Sequence, residues 1–395
     1  MVVGRTGGAS DWGYAMTIPV MRPWLGQEEA DAAAEAVRSG WVAQGPRVAA
    51  FEEAVAARLG GVCGVAVSSC TAALHLGLLL LGVGPGDEVV VPSLSFIATA
   101  NVVVQAGATP VFADVHPHTL NLTPESIGVA LSARTKAVIV VHQAGTPADL
   151  DAISALCVPR GVHILEDAAC AMGSTYKGRS IGGTSHLAAF SFHPRKVITT
   201  GEGGILLIND TQMAERARRL REHGMSVSAA NRHQSNRLVL ETYDEVGFNY
   251  RMTDVQAAVG LVQLGRLDEI LARRRVMAGA YRQMLADIPG IRMADDPPFG
   301  RSNFQSFWVS LPDDFPVSRN ALLEHMMAQG ISGRRGIMAA HLQPAYRERP
   351  TSTLPVTERA TAQSLILPMF HQMTGGEQRH VVDVFRKEAG LSASL

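Results

Sequence analysis

Apolar residues change their spacing twice along this chain. Over residues 28–59 they recur every three or four positions, in two runs that predict amphipathic helices. The link between the runs, SGWVAQGP, holds the breakers Gly40, Gly45 and Pro46. From Val65 onward, short Val/Ile-rich runs alternate with helical ones. AVSS, EVVVP, TPVFADV, KAVIVVH and VHILED predict strands, and TAALHLGLLLLG, IATANVVVQAG and DLDAISALCVPRG predict helices. Such alternation predicts an α/β fold, with a mixed, mostly parallel sheet covered by helices on both faces. LAAFSF and GGILLIND predict two further strands joined by a turn. The last third reads differently: a long helical stretch over 254–288, a strand (NFQSFWVSL), a helix (RNALLEHMMAQG), an Arg-rich loop and a final helix over 377–389. This predicts a smaller α+β domain reached through the long helix. The expected division is a tail over 1–15, a large domain over 16–260 and a small C-terminal domain over 261–395.

Composition narrows the function classes. A length of 395 residues suits two or three domains at about 150 residues each. The chain is 47% hydrophobic and 18% charged, enough to bury large cores and too apolar for disorder. Its net charge of −1, from 35 basic and 36 acidic residues, argues against nucleic-acid or polybasic membrane binding. Four scattered cysteines (Cys63, Cys70, Cys157 and Cys170) form no CxxC, so neither a disulfide framework nor a metal site is expected. Reduced thiols point to the cytoplasm. The first residues lack an apolar signal-peptide core. The apolar run over 74–83 is broken by His75 and too short to span a bilayer. The region over 93–112 carries Asn101 and Gln105 and reads as soluble core.

Candidate chemistry gathers at a few points. Only four lysines occur: Lys136, Lys177, Lys196 and Lys387. Lys196 lies in SFHPRKVITTGEGG, a polar loop between two apolar strands. A Schiff-base lysine must be held rigidly and lose its proton readily, which burial and nearby cations promote. Asp167 ends the strand VHILED, and in a parallel sheet the carboxyl ends of strands face the ligand crevice. A carboxylate there keeps a ring nitrogen protonated. SSCTAAL puts Ser68, Ser69 and Thr71 between a strand and a helix start, where N–H groups and hydroxyls favour an anion. An anion site, an Asp about 100 residues on, and a Ser (Ser191) and Lys about 25–30 residues beyond it describe a pyridoxal phosphate (PLP) site.

With these residues in place, the sequence resembles the DegT/DnrJ/EryC1/StrS family of PLP-dependent sugar aminotransferases. RPWLGQEE, SGWVAQGP, SSCTAALHLGL, GPGDEVVVPSLSFIATAN, GATPVFADV, GTPADLD, EDAACAMGSTYKGR, FSFHPRKVITTGEGG and GFNYRMTDVQAAVGLVQL read like its landmarks in order, over about 18–385. The resemblance implies fold type I, the aspartate aminotransferase fold. It implies Lys196 as the Schiff-base lysine and Asp167 as the ring-nitrogen partner. Ser69, Cys70, Thr71 and Ser191 would form the phosphate cradle, and Phe96 would cover one face of the cofactor. Asn249 would reach the phosphate from a neighbouring subunit, which implies a homodimer with shared sites. Cys70 stands where the family often has Gly, and Cys170 where it often has a Gln that helps position the cofactor hydroxyl. The role of Cys170 is therefore open.

The resemblance also implies ping-pong transfer of an amino group from L-glutamate or L-glutamine to a keto sugar, most simply a nucleotide-linked keto-deoxysugar. His142, Gln143, Arg251, Arg334, Arg335 and His341 are candidates for the substrate entrance, the two adjacent arginines as one basic loop suited to a diphosphate or carboxylate. Other readings stay open. A cyclitol aminotransferase or an aminohydroxybenzoate-type synthase would use the same lysine. Sugar dehydratases of this kind typically carry His in its place, so Lys196 argues against them. A non-catalytic PLP-binding partner subunit would not need Lys196, Asp167, Ser191 and Asn249 together.

Overall fold

The computed structural model describes residues 18–60, 63–227, 238, 240–349 and 352–392. The expected tail over 1–15 lies outside these. Nine strands come first: β1 (Cys63–Val67), β2 (Glu88–Pro92), β3 (Thr109–Ala113), β4 (Thr135–Val141), β5 (His163–Asp167), β6 (Thr175–Tyr176), β7 (Arg179–Ser180), β8 (Leu187–Ser191) and β9 (Gly204–Ile208). Seven of them form one sheet in the order β1-β9-β8-β5-β4-β2-β3. Only β9 runs against the rest, pairing antiparallel with both β1 and β8.

Both faces of this sheet are buried, which explains the unbroken Val/Ile runs. Val89, Val91, Ile139, Leu165 and Leu206 pack into one core; Val90, Val138, Val140, Ala188 and Phe190 point the other way into two others. The period-2 alternation of a strand produces this split. The helix Cys70–Leu80 is apolar nearly all round, and Leu74, Leu76 and Leu78 are all buried. It lies against the sheet with the helices Ala98–Gln105 and Thr211–Arg221 beside it.

Five further strands complete the chain: β10 (Arg292–Met293), β11 (Gly300–Arg301), β12 (Phe307–Ser310), β13 (Arg334–Arg335) and β14 (Ser364–Leu367). Strands β10-β12-β14-β13 form a second sheet, and β11 joins β6 and β7 in a third. A second large core surrounds Phe307, Trp308, Tyr281, Leu322 and Phe385. Ile18 belongs to it and bridges Ile331, so the start of the described chain packs with the C-terminal sheet across the expected boundary near 260.

Three expectations change. The helical stretch over 254–288 is two helices, Asp254–Gly265 and Leu267–Met284, parted at Arg266, whose ψ of −2° lies off the helical value. The strand expected from NFQSFWVSL is only Phe307–Ser310, because Phe304 sits at φ 49° and turns the chain. The Arg-rich loop contains β13, paired with β14. The helices Pro124–Ala130, Thr211–Arg221 and Pro355–Gln363, and β14, were not foreseen.

Candidate active site

The carboxyl ends of β1, β2, β4, β5 and β8 share one edge of the large sheet, and the start of β9 lies there too. After β1 the chain enters the helix Cys70–Leu80. Ser69 caps it by accepting the Ala72 N–H at 3.1 Å. Gly204 packs its main chain against this helix end with no side chain between them. A Cβ at position 204 would lie 2.5 Å from both Cys70 N and Ser69 C. Ser191, at the end of β8, is buried beside Gly204, its cross-strand partner.

Asp167 ends β5 with 6% exposure. Thr99 Oγ1 donates to its Oδ2 at 2.9 Å, and the Ala169 N–H to its Oδ1 at 3.2 Å. Ser95 Oγ lies 2.8 Å from Thr99 Oγ1 and lengthens the chain of hydroxyls. Burial pushes the Asp167 carboxyl above the usual range, against the pull of these two donors and of Lys196.

Lys196 sits in the loop between β8 and β9. Its N–H donates to His193 O at 2.8 Å, and its Nζ to Cys170 Sγ at 3.1 Å. Cys170, Cys70 and Asp167 act on it, and His193 lies within its electrostatic reach. Burial pulls its ammonium down, but the hydrogen bond to Cys170 and the proximity of Cys70 and Asp167 outweigh this and raise it. Burial, and next the charge of Asp167, push the Cys70 thiol well up, so that thiol stays protonated.

A lysine amine, a buried carboxylate and a helix N-terminus thus meet at one sheet edge. The model of the DegT/DnrJ/EryC1/StrS aminotransferase family matches residues 23–386. The chain belongs to this family. Among solved structures, the aminotransferase TlmJ from Streptoalloteichus hindustanus is 38% identical, with a TM-score of 0.87 over 95% of this chain and 99% of that one. DesV from S. venezuelae is 34% identical, with a TM-score of 0.85 over 94% and 98%. DesI, solved in the presence of its TDP-sugar product, is 33% identical, with a TM-score of 0.84 over 94% and 93%. The protein is a PLP-dependent aminotransferase. Its site fits the cofactor: Gly204 sets no side chain against the N–H groups of a helix N-terminus suited to an anion, and Lys196 and Asp167 offer an amine and a carboxylate at the same edge.

The aminotransferase places the other candidates unevenly. Phe96 is 68% exposed just before the helix Ala98–Gln105, and Thr71 is half-buried at the helix start after β1. Asn249 is exposed, its main chain bridged to Glu222; Arg251 is half-buried, its main chain bridged to Val67 at the end of β1. His142 does not line an entrance. It is fully buried, its Nδ1 accepting the Ala148 N–H at 3.1 Å and its Nε2 donating to Glu166 Oε2 at 3.0 Å. Gln143 is likewise spent inside the fold, its side chain donating to Leu94 O and its N–H to Asn121 Oδ1. His341 is buried too. Its Nδ1 lies 2.6 Å from Ser93 Oγ, and its Nε2 faces Glu358 at 3.5 Å, fastening the segment after β2 to the C-terminal part of the chain.

Arg334 and Arg335, expected as one basic loop, are both exposed and lie on β13. They are neighbours on β13, so their side chains leave opposite faces. Burial, then Arg195, lowers the Arg334 guanidinium, while Cys170 raises it, so Arg334 lies within electrostatic reach of the site. Arg335 lowers both Arg334 and Arg319, and Arg319 donates to Thr361 O and Ser364 O behind β14. The sequence reading missed Thr99 and Ser95. Their one signal was two hydroxyls four residues apart in SFIATAN, beside a strand end.

Proposed function

We propose that this aminotransferase moves the amino group of L-glutamate or L-glutamine to the carbonyl of a nucleotide-linked keto-deoxysugar, by one site used twice. The observation that carries the reading is the convergence of Lys196, Asp167 and the Ser69-capped helix end. DesI, described with its TDP-sugar product, supports the acceptor class.

When bound, PLP supplies a carbonyl that takes up the amino group and a ring that accepts an electron pair. Lys196 would hold the cofactor through Nζ and, once released by the donor, would move a proton at the donor Cα. Asp167 would stand against the ring nitrogen and favour its protonated form, with the Thr99 and Ala169 donors keeping its carboxylate aimed. The N–H groups at the start of the helix Cys70–Leu80, with Ser69, Thr71 and Ser191, bind the phosphate. Arg334 supplies positive charge to the carboxylate or diphosphate of each substrate in turn. Donor and acceptor use the same lysine, so ping-pong kinetics follow.

The reading includes a homodimer in the cytoplasm. Phe96, Leu240, Tyr243 and Val246 are 68%, 79%, 58% and 88% exposed, apolar side chains that a partner subunit would cover. Asn249 is exposed close to Val246 in sequence, in keeping with a role across that contact. The four cysteines are free, which suits a reducing compartment. Among the described residues no helix is long and apolar enough to cross a membrane.

The test adds PLP to the purified protein, records the visible absorption, then adds L-glutamate and a panel of keto-sugar nucleotides. Loss of the band with glutamate and its return with one keto sugar are expected. The same is done with L-glutamine and with keto-cyclitols; a band that ignores both amino donors, or an acceptor found only among cyclitols, refutes the reading. Light scattering at monomer mass refutes the dimer.

A further inference from the structure

Arg274 is 1% exposed in the helix Leu267–Met284, and no carboxylate pairs with it among the described residues. Its Nε donates to Phe304 O at 2.9 Å, its Nη2 to Gln305 O at 2.5 Å and its Nη1 to Met369 O at 3.4 Å. Burial lowers its pKa to about 10. A buried charge held by carbonyls and the Met21 sulfur, without a carboxylate, is costly, and its two shortest bonds lock one short segment.

That segment, Asn303 to Gln305, turns at the positive φ of Phe304 and faces the catalytic edge. Asn303 Nδ2 donates to Cys170 O at 2.8 Å and Met172 O at 2.9 Å, and its Oδ1 accepts the Gln305 N–H at 2.8 Å. Gln305 Nε2 donates to Arg195 O at 2.8 Å. The peptide entering Lys196 is therefore held at both polar atoms, its C=O by Gln305 and its N–H by His193 O. Gly145 admits the bracket, since a Cβ there would lie 1.8 Å from Asn303 Oδ1. The two residues whose side chains meet, Cys170 and Lys196, thus have their main chains gripped by one pair of amides from outside the large sheet.

We infer that Asn303 and Gln305 are positioning residues that set the approach of Lys196 Nζ to Cys170 and the cofactor, with Arg274 as their lock. The inference rests on Lys196 being the cofactor-binding lysine. A planar peptide fixed at both ends directs the long side chain that follows it. A misplacement of about 1 Å at the reacting atom costs about 100-fold in rate.

The test compares Gln305→Met, which keeps the length and loses the donor, with Tyr281→Phe. The latter loses a 2.7 Å bond to Pro368 O in the neighbouring core without touching the bracket. Two readouts apply: the pH midpoint of the holoenzyme's visible absorption, and the rate of Cys170 alkylation in the cofactor-free chain, located by peptide mapping. Gln305→Met is expected to move the midpoint by about one pH unit and to change the alkylation rate about tenfold. Tyr281→Phe is expected to lower only the thermal midpoint. If Gln305→Met does not fold, Gln305→Glu, of the same shape with an acceptor replacing the donor, is read in the same way. A Gln305 variant whose two readouts stay at the wild-type values overturns the inference. Borohydride fixation of the cofactor separates the two layers. Label on Lys196 with unchanged variant readouts sinks the positioning role alone, whereas label on another lysine sinks both.

Discussion

Replacing Gly204 by alanine tests whether the helix end is a cradle. The new Cβ would sit 2.5 Å from Cys70 N and Ser69 C and 2.7 Å from Ser69 O, all main-chain atoms. Ordinary contact begins at 3.4 Å, so the helix start or β9 must yield by about 0.9 Å. No side chain can rotate away to relieve this. Overpacking of this kind costs about 1–3 kcal/mol. The displaced atoms include the N–H groups proposed to bind phosphate, so cofactor affinity should fall beyond the loss of stability. A tenfold weaker dissociation constant corresponds to about 1.4 kcal/mol, and a shift of nearly 1 Å supports a loss of 10-fold to 100-fold. The assay titrates PLP by absorption, with inorganic phosphate as competitor, alongside urea unfolding of the cofactor-free chain. A variant that is less stable yet binds PLP within twofold of wild type would refute the cradle. Unchanged stability would refute the packing argument itself.

Gly279→Ala is the counterpart: it lies inside the helix Leu267–Met284, its Cβ would meet nothing within 4 Å, and a gain of about 1 kcal/mol in urea unfolding is expected. Thr99→Val removes the donor to Asp167 Oδ2 and should raise that carboxyl further. A carboxyl already above its unfolded value loses stability as pH rises from the unfolded to the folded pKa, so the variant's deficit should approach about 2 kcal/mol at neutral pH and shrink toward about pH 4; an equal deficit at both ends would contradict the assignment. Arg334→Gln should raise KM for the anionic substrates several-fold, while Arg335→Gln leaves it unchanged, and equal effects would restore the single basic loop.

The order of strands and helices was legible because both sheet faces are buried: runs such as EVVVP and KAVIVVH have one way to lie in a mostly parallel sheet. Lys196 and Asp167 were legible as chemistry at a strand end and in the loop after a strand. The substrate candidates fared worse, since a histidine in sequence carries no sign of its burial. His142 and His341 proved to be hydrogen-bonded parts of the interior, and Arg334 and Arg335 parted because a two-residue strand sends neighbours to opposite faces.

By itself the sequence determined the α/β alternation, the lysine and aspartate, and the motifs that carry the family. Local patterning encodes these, since each depends on residues near in the chain. Only the tertiary structure decided that Thr99 aims Asp167, that Gly204 packs against the helix end, that Cys170 meets Lys196, and that Asn303 and Gln305 grip both. These contacts join residues tens to more than a hundred positions apart. No local period marks them, and the packing of separate elements brings them within hydrogen-bond reach.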